Sequence, residues 1–185
     1  MDLTFNTIVL SIYVFMVITH IVPHAIDLGI NKIQTASILS LIGGFIILGR
    51  ILVGRVSDSI GMEQTIMLCS LLMVGAFLWL IWSSNLWILY VFSTVFGFAF
   101  GGIAPPLNAL TADIFGMRNI GIIMAAINSS WGIGAAIGPV LAGYIFDISG
   151  SYLFAFLTVM VAALITVILT LFIRAPNTRA PSQLA

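Results

Sequence analysis

Six long apolar stretches, separated by short polar clusters, constrain the fold of this chain more than any other feature. A helix needs about 20 mostly apolar residues to cross the hydrocarbon core of a bilayer. The stretches meet this requirement, and they run approximately over residues 5–26, 35–55, 64–83, 86–111, 119–146 and 152–173. Because they lack the alternating hydrophobicity of barrel strands, the sequence predicts an all-α membrane protein with six transmembrane helices.

The composition excludes several other classes of protein. Hydrophobic residues make up 61% of the chain and charged residues 6%, whereas a soluble domain has about 25% charged residues. The formal net charge is zero, so we predict no nucleic-acid partner. Motifs such as Gly-x-Ser-x-Gly and His-Glu-x-x-His are absent, so we predict neither enzymatic activity nor a cofactor.

The connections between the stretches are short, so we predict one six-helix transmembrane domain over residues 1–174 and a short cytoplasmic tail over residues 175–185. Short connections also favour antiparallel packing of consecutive helices.

Basic residues near the span ends predict orientation, because they concentrate on the cytoplasmic side. Lys32 lies on one side of the membrane, and the other five basic residues lie on the opposite side: Arg50, Arg55, Arg118, Arg174 and Arg179. Both termini share the side of these five arginines and are therefore predicted to be cytoplasmic in the cell membrane.

A Gly-x-x-x-Asp-x-x-Gly pattern occurs twice, each time where an apolar stretch ends. The two copies predict turns and consist of Gly54, Asp58 and Gly61, and of Gly143, Asp147 and Gly150. We expect Asp58 to accept hydrogen bonds from the start of the next helix near Gln64. The first copy falls on the inner side and the second on the outer side, which indicates a 3+3 inverted repeat. The alternative is that Asp and Gly are simply common turn residues.

Small residues in the second half predict close helix packing. The pairs Gly97 and Gly101, and Gly134 and Gly138, are each four residues apart, which lets helix backbones approach in lipid. Prolines interrupt helical hydrogen bonding, so we expect bent or broken helices at Pro105, Pro106 and Pro139.

A small set of polar and aromatic residues inside the spans forms the candidate substrate site. Arg50 is the main candidate, because a charge within a span is costly unless it faces a cavity or the bundle interior. The alternative is that its long side chain snorkels to the interface. The other candidates are Asn128, Trp131, His20 and His24.

Each of these four candidates also has a structural interpretation. Asn128, with Asn108, Ser129 and Ser130, either lines a pathway or makes hydrogen bonds between helices. Trp131 either contacts the substrate or serves only in helix packing. His20 and His24 share a helical face near the outer end of the first span, where they either cap a kinked helix or sense protons. No third ligand is evident, so we predict no metal site.

The chain resembles the carboxy-terminal six-helix half of a major facilitator superfamily transporter. The stretch GRILVGRVSDSIG, residues 49–61, is similar to that superfamily's loop motif between its eighth and ninth helices, although Met62 and Glu63 stand where basic residues are usual. The stretches HIVPHAIDLGI and IGPVLAGYIFDISGSYLFAF, residues 20–30 and 137–156, resemble monocarboxylate transporter-like and oxalate:formate antiporter-like members.

This resemblance implies secondary active transport of a small organic anion, of the monocarboxylate or dicarboxylate class, by alternating access. It implies a symporter or antiporter of twelve helices, with substrate between two halves, and so a second six-helix half as partner, either another chain or a second copy. Arg50 precedes Gly54 by four residues, as does the arginine that holds the carboxylate in monocarboxylate transporters, whereas Ile46 replaces their proton-coupling aspartate. The alternatives are a transporter for another small solute, and a membrane partner or sensor without transport.

Overall fold

A computed structural model of the chain describes residues 2–172, which form six α-helices and no strand. The helices are α1 (Asp2–Asp27), α2 (Lys32–Ile60), α3 (Met62–Ile81), α4 (Leu86–Phe115), α5 (Ile120–Ser149) and α6 (Tyr152–Phe172). All six are long and apolar enough to cross a membrane. The predicted all-α, six-helix, multi-pass architecture is confirmed. The predicted tail, residues 175–185, lies outside the described residues.

Four of the helices, α1, α2, α4 and α5, are longer than the sequence predicts. Helices α2, α4 and α5 contain 29, 30 and 30 residues, or about 45 Å each at 1.5 Å per residue. The hydrocarbon core is only about 30 Å thick. These helices therefore continue past the core, and hydropathy alone places their ends too early because it detects only the segment in lipid.

The repeated glycine and aspartate pattern is helical over most of its length, which corrects the prediction of turns. Gly54 and Asp58 belong to α2, and Gly143 and Asp147 belong to α5. The helices end only at the last residue of each copy, where Gly61 has φ of 99° and Gly150 has φ of 65°. Left-handed backbone of this kind favours glycine, so one residue in each copy makes the turn.

Asp58 does not cap the next helix as expected. The N-cap residue of α3 is Gly61, which has no side chain to accept a hydrogen bond from the first turn. The reason is that Asp58 still lies in the last turn of α2, where its side chain is exposed. Glu63 instead supplies the acidic residue in the first turn of α3.

The closest helix pairs are not consecutive in the chain. Helix α2 packs chiefly against α4, and α1 packs chiefly against α5. The members of each pair cross the bilayer in the same direction, because an odd number of helices separates them. The expectation of antiparallel packing between neighbours is therefore wrong for the two main pairs.

This pairing is the one that an inverted repeat requires. Further contacts join α3 to α4, α6 to α1 and α3 to α6. Exchanging α1 with α4, α2 with α5 and α3 with α6 converts the α2–α4 pair into α1–α5 and the α3–α4 pair into α1–α6, and it leaves the α3–α6 pair unchanged. The two groups of three helices are thus interlocked and bury a common apolar core.

Glycines lie at the contacts where the paired helices approach most closely. A Cβ atom on Gly97 would lie 2.6 Å from the Ile42 carbonyl oxygen, and one on Gly101 would meet the Ile46 carbonyl. On the other pair, Gly134 faces Ser11 and Gly138 faces the Ile12 carbonyl. At these four positions only glycine leaves room for such close contacts.

The contact at Gly138 has a counterpart at Gly49 that extends the repeat beyond its motif. Gly49 precedes Gly54 by five residues, and Gly138 precedes Gly143 by five residues. Both are buried, and each lies against a backbone carbonyl of its partner helix, that of Phe98 for Gly49. The two copies therefore share a packing function as well as a sequence pattern.

The prolines lie within continuous helices. Pro105 and Pro106 are inside α4, and Pro139 is inside α5. Of the bent or broken helices expected at these positions, breaks do not occur, because neighbouring helices can hold a membrane helix together where proline removes a hydrogen bond.

We predict that Gly138→Ala destabilises the protein by about 1–3 kcal/mol, because the added methyl group would force α5 away from the Ile12 carbonyl of α1. The control is Gly143→Ala on the same helix, where a Cβ meets nothing within 4 Å. This control should stabilise by about 0.5–1 kcal/mol, since alanine favours helix more than glycine. Thermal unfolding in detergent measures both. Equal effects of the two substitutions would contradict the close contact.

Candidate functional site

A cleft of about 290 Å³ opens among α1, α2, α4 and α5. Its polar groups are Arg50 of α2, Asn108 of α4 and Asn128 of α5. The rest of its lining is mainly aromatic and aliphatic, and comprises Phe15, Phe100, Ile103, Ala104, Leu107, Ile127 and Trp131. No described residue of α3 or α6 lines it. The structure thus brings three of the predicted site residues, Arg50, Asn128 and Trp131, to one place.

The position of Arg50 follows from the crossing of α2 and α4. It comes directly after Gly49, whose backbone is pressed against Phe98 of α4. Ten residues separate it from Ile60 at the end of α2, or roughly 15 Å along the helix axis. The side chain is exposed to the cleft, and it forms no hydrogen bond or ion pair with any residue between positions 2 and 172. The cleft therefore carries an uncompensated positive charge.

Two amides lie beside this charge. Asn108 and Asn128 are both exposed, and neither side chain makes a hydrogen bond within the described part of the chain. The neighbouring hydroxyls behave differently, because Ser129 and Ser130 donate to the carbonyls of Ala125 and Ala126 in their own helix, at 2.8 and 3.0 Å. The amides, unlike the serines, remain available to a ligand.

The histidines do not line this cleft. The Nε2 atom of His20 donates to the Pro139 carbonyl of α5 at 3.1 Å. The Nε2 atom of His24 lies 2.8 Å from the Ser83 hydroxyl, in a separate pocket of about 300 Å³ near the ends of α1, α3 and α5. No group of three metal-ligating side chains forms within residues 2–172. The predicted contact of these histidines with substrate remains untested.

Sequence reasoning did not identify Phe15 and Phe100 as members of the site. Twelve of the thirteen phenylalanines lie in the apolar stretches, and no polar motif distinguishes these two from the others. Only the packing of α1 and α4 around α5 selects these two.

A family model described as Major Facilitator Superfamily matches residues 3–185 of the chain. Monocarboxylate transporter 12 of Mus musculus is 27% identical over 159 residues, which cover 84% of this chain and 33% of that protein. The gentisate transporter of Corynebacterium glutamicum is 29% identical over 96 residues, which cover 51% of this chain and 21% of that protein. The chain thus spans about a third of the length of the first of these relatives.

Solved structures share the fold at low sequence identity. A crystal structure of a POT family transporter in complex with 5-aminolevulinic acid superposes with a TM-score of 0.83 and 19% identity, covering 92% of this chain and 37% of that one. A crystal structure of a peptide transporter POT in complex with sulfate also has a TM-score of 0.83, at 15% identity. The proteins named here are transporters and not enzymes, in agreement with the enzyme motifs missing from the sequence.

Proposed function

The chain belongs to the major facilitator superfamily, and we propose that it forms one half of a secondary transporter that carries a small organic anion by alternating access. The observation that carries this proposal is the uncompensated guanidinium of Arg50 in a cleft lined by four helices. The similarity to proteins named for monocarboxylate and gentisate transport supports an anionic substrate.

Arg50 would hold the substrate carboxylate. A guanidinium stays charged at physiological pH and can donate two parallel hydrogen bonds to one carboxylate, a geometry that lysine does not reproduce. An unpaired charge at this depth is costly unless water or an anion meets it. Binding of a carboxylate therefore removes part of the cost of placing Arg50 in the membrane.

The remaining candidate residues take different roles in this proposal. Asn128 and Trp131 contact the body of the substrate, because both line the cleft with Arg50. We place His20 and His24 outside the substrate site, since their hydrogen bonds join α1 to α5 and to Ser83. The glycine and aspartate motif at the ends of α2 and α5 shapes the helix ends that move during the transport cycle.

A second six-helix half would cover the open side of the cleft. Helices α2 and α5 bury the smallest shares of their residues. Each also carries a glycine without neighbours, Gly43 and Gly132, where a Cβ would meet nothing within 4 Å. These two glycines precede Gly54 and Gly143 by the same eleven residues. Such positions permit the close approach of a partner helix, whether from another chain or from a second copy.

We predict that Arg50→Lys weakens saturable binding of small carboxylates by tenfold or more, because hydrogen bonds to charged groups contribute about 1.5–3 kcal/mol each and the bidentate geometry is lost. The matched control is Arg55→Lys, an exposed residue of the same helix outside the cleft. Competition with radiolabelled propionate and benzoate measures the affinity. Wild-type affinity in Arg50→Lys would show that Arg50 serves only as a charge at the membrane interface.

We predict that the chain associates through the α2 and α5 faces and does not transport as a monomer. Gly132→Leu should reduce association because it fills the open face, whereas Gly75→Leu should not, although Gly75 of α3 has equally free space around it. Light scattering in detergent measures the assembly, and uptake by reconstituted vesicles measures transport. Transport by vesicles that each contain one unpaired chain would exclude the half-transporter proposal.

We predict cytoplasmic termini, with the junction of α2 and α3 on the same side, because the basic residues lie there. On a Cys69→Ala background, Ser59→Cys is exposed and should react with a membrane-impermeant thiol reagent only in inverted vesicles. Lys32→Cys, at the opposite end of α2, should react in intact cells. The reverse pattern would overturn the proposed orientation.

A further inference from the structure

Three aromatic side chains from three helices meet in the cleft that contains Arg50. The Trp131 ring of α5 lies 6.2 Å from the Phe15 ring of α1, edge to face, and 5.8 Å from the Phe100 ring of α4. All three rings line the cleft. Trp131 is thus the centre of a continuous aromatic wall, held on both sides by a phenylalanine.

This wall and the guanidinium recognise different parts of a ligand. Arg50 can hold a carboxylate at one end. The aromatic wall offers the rest of the ligand ring faces and edges, which attract another aromatic ring beyond the effect of buried area alone. A short aliphatic acid would engage Arg50 and leave the wall uncovered.

The cleft has room for a small molecule. Ligand pockets usually have volumes of about 300–1,000 Å³, and the part of the cleft that this chain forms has a volume of about 290 Å³. Two other cavities suit an aromatic acid less well. One contains the Asp27 carboxylate, which repels anions, and the other, between α3 and α4, is lined almost entirely by apolar side chains with no cation.

From these contacts we infer that the cleft selects carboxylates that carry an aromatic ring, and that Trp131 is the residue that distinguishes the ring from a saturated body. This inference rests on the proposed function, because it assumes that Arg50 binds the carboxylate. Asn108 and Asn128 lie in the same cleft and are free to hydrogen-bond polar substituents of the ring.

Benzoate and cyclohexanecarboxylate test this inference, because they have the same carboxylate and the same number of carbon atoms but differ in the ring. Competition against radiolabelled benzoate on the full chain in lipid nanodiscs measures both affinities. We expect benzoate to bind about three- to tenfold more tightly, the range that aromatic pairing supports. Trp131→Leu should reduce this ratio to less than twofold, and Trp131→Phe should retain most of it.

Trp87→Leu is the control, because Trp87 is exposed near the start of α4 and lies outside the cleft. The ratio of the two affinities is measured within each variant, so partial loss of folded protein does not alter it. If a Trp131 variant does not elute as a single species in size-exclusion chromatography, Phe15→Leu replaces it, because this substitution removes a neighbouring part of the wall.

The outcomes separate this inference from the proposed function. Equal affinities of the wild-type chain for the two acids, with both lost in Arg50→Gln, would overturn the aromatic preference and leave the carboxylate site intact. An unchanged benzoate affinity in Arg50→Gln would overturn the carboxylate site itself. Saturable binding of propionate without binding of benzoate would overturn only the inference, and no binding of any of these acids would overturn both.

Discussion

Two close helix crossings, of α2 with α4 and of α1 with α5, position the other parts of this structure. In lipid the hydrophobic effect does not drive helices together, so van der Waals contact between their surfaces must do so. Glycines provide that contact by letting backbone carbonyls approach, as Gly101 does for Ile46 and Gly138 for Ile12. Each crossing joins helices from different halves of the repeat, which makes the six helices one interlocked unit.

The cleft is a direct product of these crossings. Arg50 follows Gly49, and Phe100 precedes Gly101, so the close contact of α2 with α4 brings both to the same cleft. Trp131 lies one turn before Gly134, which faces Ser11 of α1. A charged group and an aromatic wall thus come from helices that are locked together. In the proposed transporter this would hold the substrate site rigid while the unit moves as a body against its partner half.

The features predicted from sequence are those with a local physical cause. Six apolar stretches require six helices, because backbone groups in lipid must form hydrogen bonds within their own segment. Arg50 was identifiable because charge is rare in such a segment. The helix ends were less predictable, since α2 and α5 continue as helices beyond the apolar core and end only at Gly61 and Gly150. The order of packing was not predictable from connection length, because contacts between glycine surfaces outweigh proximity along the chain.

The sequence by itself determined the fold class, the number of helices, the repeated glycine and aspartate pattern and the presence of an arginine within a span. Each of these depends on the chemistry of a single stretch. Only the tertiary structure decided that Asn128 and Trp131 join Arg50, that Phe15 and Phe100 complete the wall, and that His20 and His24 turn to other partners. These relations depend on which helix faces which, and that is set by the combined contacts of all six helices.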